Sequence, residues 1–182
     1  MIERIKEQVK KECSDPSFKH HPWYWDYHIL PVLDIALKLA ERYNADKKVI
    51  ELAAYLHDIG KIRGLESHAE SGAKIAEEKL REFGCPEDKI QKVKHCVLSH
   101  RGSQLIEPET VEAKIVADAD ALAAFDHIHG PFMAAFVYEK RSQSSARDSV
   151  RQKYVNSWNK LNFQESKDII KPKFEAIKLL LG

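Results

Sequence analysis

No stretch of the 182 residues approaches the roughly 18 consecutive apolar residues of a membrane-spanning helix. The opening MIERIKEQVKKEC is charged and amphipathic, so the sequence offers neither a signal peptide nor an anchor, and no membrane partner. Cysteine is scarce. Cys13, Cys85 and Cys96 form no CxxC and leave an odd count, which excludes a disulfide framework and fits reduced thiols in a cytoplasmic protein. Net charge is nearly absent at +1, which removes any general pull toward nucleic acid or an anionic surface. The balance is uneven: residues 139–182 carry ten Lys or Arg against five Asp or Glu. That tail reads as a solvated helical face rather than a polyanion site. Repeats and low-complexity segments are absent as well.

With 43% hydrophobic residues the chain has enough material for one domain with a real core. Nearly every segment longer than ten residues places apolar side chains three and four apart, and no alternating strand pattern persists. The fold reads as all-α, with helices near 2–13, 25–43, 46–59, 67–83, 86–100, 108–127, 131–140, 145–160 and 164–181. Asp46 is placed to cap the third of these, Ser67 with Glu70 makes a capping-box pattern, and Pro86 and Pro108 each open a segment. Gly60 reads as a C-terminal stop. Tyr154 and Trp158, one turn apart, read as core packing of the last two helices.

Ionisable residues on inward helix faces mark the chemistry. His28 shares a face with Val32, Ile35 and Leu39; Asp118 shares one with Val111, Ile115 and Leu122, and Asp120 falls off that stripe. His57 lies above Ile50, Ala53 and Ala54, with Asp58 beside it at the helix end. An unpaired buried carboxylate costs several kcal/mol, so inward aspartates require a compensating cation. His28, His57, Asp58 and Asp118 together make a donor set for one divalent metal ion, with Mn, Fe, Co, Ni, Zn and Mg all open.

His28, then HDIGK at 57–61, then Asp118 within KIVADADAL at 114–122, is an ordered pattern that resembles the HD-domain superfamily of metal-dependent phosphohydrolases. The resemblance covers about residues 20–125 and implies a multi-helix bundle in which those four residues bind the metal. The helices of about 131–181 then pack on that core. SHAESGA at 67–73, VLSHRG at 97–102 and EAKIVADAD at 112–120 are similar to a group of small, poorly characterised HD hydrolases of bacteria and archaea. No GYP element follows, and Lys61 stands where many HD nucleotidases carry a Glu.

The chemistry expected is attack of an activated water on a phosphoester of a small phosphorylated substrate, a nucleotide by preference. Asp58 is the residue expected to orient or deprotonate that water, and Lys61 to hold a phosphate. His68, His100 and Arg101 are further substrate contacts, with Arg63 behind them; His68 and His100 also leave a second metal open. HHPWYWDYH at 20–28 reads as a seal at one bundle end, with base stacking as its alternative, and His127 and His129 as loop residues. Two other readings stay in view: a metal- and phosphate-binding regulatory module without turnover, and a di-iron HD oxygenase. A nucleic-acid partner is disfavoured, and a homodimer is left open.

Overall fold

The structure, a computed structural model, describes residues 1–101 and 106–182. Among the described residues there is no strand, and no helix is long and apolar enough to cross a membrane. Helix α1 spans Ile2–Cys13, and a cis His21–Pro22 bond precedes a π-helical turn, Trp25–Ile29, that runs directly into α2, Leu30–Arg42. Then follow α3 (Lys47–Leu56), α4 (Ile59–Ile62), α5 (His68–Glu82), α6 (Glu87–Ser99) and α7 (Val111–Asp126). The chain ends with α8 (His129–Met133), a second π-helical turn (Ala134–Tyr138), α9 (Gln143–Asn159) and α10 (Gln164–Leu181).

Helix α7 lies at the centre, packed against α2, α3, α6, α9 and α10. It is buried on nearly every side, through Ala113, Ile115, Val116, Ala119, Leu122 and Phe125 among others. The last two helices join the same apolar cluster through Val150, Tyr154, Ile170 and Phe174. Tyr154 satisfies its hydroxyl on the Ala124 carbonyl at 2.8 Å, and Trp158 stacks on Phe174, so both aromatic residues pack as the periodicity predicts.

The helix ends follow ordinary capping physics in part. Asp46 accepts from the backbone N–H groups of Lys48 and Val49, as expected of a residue whose carboxylate faces free donors. Ser67 does not cap: it sits in the left-handed region at φ +46 and makes no cap hydrogen bond, so the capping-box pattern is not realised. The helix expected from Pro108 begins three residues later, where Thr110 accepts from the Ala113 N–H.

Gly60 is not a stop. The helix breaks earlier, at Asp58 (φ −108, ψ 17), and Gly60 lies inside α4. A Cβ there would stand 2.3 Å from the His68 carbonyl oxygen, so the glycine is needed for the close approach of α4 to the start of α5.

Candidate metal centre

Breaking the chain between α3 and α4 turns His57 and Asp58 toward one point. His57 closes α3 as its C-terminal cap, and its Nδ1 lies 2.8 Å from the Ala54 carbonyl oxygen. A carbonyl only accepts, so Nδ1 carries the proton. Burial then pushes the His57 pKa down to about 4, with the Asp58 charge opposing, and a neutral ring presents its Nε2 lone pair inward. His28 reaches the same point from the π-helical turn: the two Nε2 atoms are 3.1 Å apart.

The Asp58 carboxylate is only 4% exposed. Its Oδ2 accepts from the Tyr24 hydroxyl and lies 3.2 Å from His28 Nε2, 3.4 Å from Lys61 Nζ and 3.5 Å from His57 Nε2. Its Oδ1 faces His100 Nε2 at 3.6 Å and His68 Nε2 at 3.8 Å. His100 is oriented as His57 is, with Nδ1 2.6 Å from the Val97 carbonyl. Burial disfavours a charged Asp58, but Lys61, His57 and the hydrogen bonds from His100 and His28 outweigh it and hold the carboxyl well below its usual range. For His100 burial is likewise outweighed, by Asp58 above all, and its pKa is raised.

The fourth ligand is a correction. Asp118, expected as a metal ligand, points away from this cluster: its Oδ1 accepts from the backbone and side-chain N–H groups of Asn162 at 2.7 and 2.8 Å, and its Oδ2 from the Phe163 N–H at 3.1 Å. It holds the α9–α10 turn onto α7. Asp120 faces the cluster instead, with Oδ1 3.5 Å from His28 Nε2. The apolar stripe points to Asp118, but a helix buried all round has several inward faces and only one of them looks onto the site.

Potential ligand atoms fall into two groups, His28 with His57 and Asp120, and Asp58 with His68 and His100, each within 4.8 Å. Two imidazole nitrogens at 3.1 Å repel through their lone pairs unless a proton or a cation lies between them. Asp58 and Asp120 add two negative charges there, more than one proton balances. Nitrogen and carboxylate donors converging in this way fit a divalent transition ion.

Lys61 stands at the edge of the cluster, its Nζ 2.5 Å from the Tyr24 hydroxyl and over the Tyr24 ring at 4.6 Å. Within HHPWYWDYH no sequence signal separates Tyr24 from its neighbours, yet Trp25 is buried and stacked on Tyr55, while Tyr27 is exposed beside His127 and His129. Arg101 lines the same cleft as Lys61, His68 and His100, whereas Arg63 is spent on Glu12 in two 2.7 Å hydrogen bonds. Gly102 of VLSHRG lies outside the described residues. The cleft over the cluster has a volume of about 1530 Å³, and α9 contributes part of its lining.

Comparison with known proteins places the chain in a family. YpgQ of Bacillus subtilis is 29% identical over 126 residues, 67% of this chain and 59% of that protein. Ribonuclease Y of Alkaliphilus metalliredigens is 36% identical over 100 residues, 53% of this chain and 19% of the relative. The chain thus spans less than two thirds of either relative. Among solved structures, a predicted HD superfamily hydrolase from an uncultured Thermotogales bacterium superposes with a TM-score of 0.56 at 28% identity, over 85% of this chain and 83% of the other. B. subtilis YpgQ in complex with ADP superposes with 0.74 at 23% identity, over 99% and 90%, which speaks to the fold. The family model described as HD domain matches residues 25–124, the segment from the first π-helical turn into the last turn of α7 that carries every member of both ligand groups, and the chain belongs to the HD-domain family.

Proposed function

We propose that the protein is a metal-dependent phosphohydrolase acting on a small phosphorylated compound, a nucleotide by preference. The observation that carries this reading is the convergence of His28, His57, Asp58 and Asp120 beneath an open cleft, with Lys61 at their edge. In that reading His28, His57, Asp58 and Asp120 hold the ion. When bound, a divalent ion supplies Lewis-acid activation of water and of a phosphoryl oxygen.

The protein's own groups do the rest. The Ala54 carbonyl fixes the His57 ring so that Nε2 is the donor atom. Tyr24 donates to Asp58 and accepts from Lys61, so the lysine is parked beside the carboxylate and free to swing one hydrogen bond toward a substrate phosphate. Asp58, held anionic and already shared among several donors, is a weak base, so its role is that of ligand and orienting acceptor. His68 suits the proton-accepting role better. Burial lowers its pKa, it lies 3.8 Å from Asp58 Oδ1, and it lines the cleft.

The ADP complex of YpgQ supports a nucleotide as ligand. The second ligand group, Asp58 with His68 and His100, would hold a second ion in a two-ion variant of the same site, with His68 then a ligand in place of a proton acceptor. The test is elemental mass spectrometry of purified protein followed by a phosphatase screen with added Mn²⁺, Co²⁺ and Ni²⁺. Metal bound and a phosphoester hydrolysed support the proposal. Metal without turnover points to a regulatory module, and two irons with oxygen uptake to an oxygenase.

A further inference from the structure

The matched family segment ends at residue 124, yet part of the lining of the cleft over the metal centre comes from α9, beyond it. On α9, Ala146, Val150 and Tyr154 are buried in the core. Ser145, Ser149, Gln152, Lys153 and Asn156 line the cleft along another face. This is part of the basic tail, and the cleft gives its polar face a use that a solvated surface does not require.

The cations of this lining are not equivalent. Lys160 donates to the Arg101 carbonyl at 2.7 Å, and Arg141 pairs with Glu139. Lys153 has no hydrogen bond or ion pair among the described residues. Its ammonium is pushed below the ordinary lysine range by burial and then by the charge of Lys61, with Asp120 and Asp58 acting the other way. Lys61, from α4, and Lys153, from α9, line the same cleft, and their like charges repel. An anion seated between them relieves that repulsion, and consecutive phosphoryl groups supply one charge for each lysine.

We propose that Lys153 binds a second phosphoryl group of the substrate, adjacent to the one held at the metal centre, and that the polar face of α9 selects compounds with a phosphate chain over simple monophosphates. This deepens the phosphohydrolase reading and rests on it for the position of the first phosphoryl group.

The test is isothermal titration of wild-type protein, Lys153→Gln and Lys153→Arg with inorganic pyrophosphate and with orthophosphate. Metal content is measured before and after, so that stripping by pyrophosphate is detected. Lys153→Gln is expected to weaken pyrophosphate binding at least tenfold and to leave orthophosphate within twofold; Lys153→Arg restores pyrophosphate to within about threefold. Equal weakening of both anions, no weakening of either, or no binding of pyrophosphate by the wild type overturns the inference. Lys153-dependent pyrophosphate preference in a protein that hydrolyses no phosphoester would retain the anion site and remove the hydrolase reading. Hydrolysis with a KM indifferent to Lys153 would do the reverse.

Discussion

Asp118 and Asp120 stand two residues apart on α7 and serve different neighbours: Asp118 receives both N–H groups of Asn162, at 2.7 and 2.8 Å, while Asp120 lies 3.5 Å from His28 Nε2. Asp120→Asn is therefore expected to lower metal content and any turnover, with little change in the stability of the metal-free protein. Asp118→Asn is expected to keep the metal and to destabilise by about 2–3 kcal/mol, because its three hydrogen bonds lose their charged acceptor in a buried site. Elemental analysis and urea denaturation of both variants decide this. Loss of metal in Asp118→Asn with full retention in Asp120→Asn would return the ligand role to Asp118.

That pair also marks how far the sequence could be read. His28 is legible because the helix it enters buries one face and the residue lies on it, and His57 and Asp58 because two ionisable residues close an otherwise apolar run. Helix α7 offers no such contrast, since apolar residues surround it and both aspartates of ADAD sit among alanines. The break at Asp58 was hidden for another reason. Gly60 looked like a helix stop, whereas its role is tertiary, set by the approach of the His68 carbonyl from α5. Lys153 was invisible as a cleft residue, because its side chain acquires that role only once α9 docks on α7.

Gly60→Ala tests the packing of α4 on α5. The added methyl would meet the His68 carbonyl at 2.3 Å and the Ser71 hydroxyl at 2.8 Å, and the first is backbone that cannot rotate away. A loss of about 3 kcal/mol is expected, the upper part of the range for overpacking. Because Asp58 and Lys61 flank the glycine, metal affinity should fall with it. Wild-type stability in urea and unchanged metal content would mean that α4 moves freely against α5.

Acid sensitivity should have a contribution from His20. Its Nδ1 is buried without a hydrogen-bond partner, and burial, then the charges of Lys61 and Lys19, push its pKa to about 4. Above the ordinary value of 6.5 the ring is neutral folded or unfolded. As pH falls below 6.5 the unfolded chain takes up a proton that the folded chain refuses, so stability declines until about pH 4 and then levels. Allowing for partial exposure, the decline is on the order of 1–2 kcal/mol. His20→Phe, which keeps the ring contacts with Phe18 and Trp23, should flatten that part of the profile. An unaltered slope in denaturation measured from pH 7 to pH 4 would remove His20 as its source.

Metal binding should be visible in stability even where no substrate is known. His28 Nε2 and His57 Nε2 lie 3.1 Å apart with the Asp58 and Asp120 carboxylates against them, so an ion that binds these donors only in the folded state adds its binding free energy to stability. At a free ion concentration about 100 times the dissociation constant the gain is about 2.7 kcal/mol. For a chain of this size that raises Tm by roughly 5–10 °C. Protein stripped with EDTA and titrated with Mn²⁺ should show this rise in scanning calorimetry, and His57→Ala should not. The same rise in the variant would place the ion elsewhere on the protein, since removing one nitrogen from the cluster must weaken any ion held there.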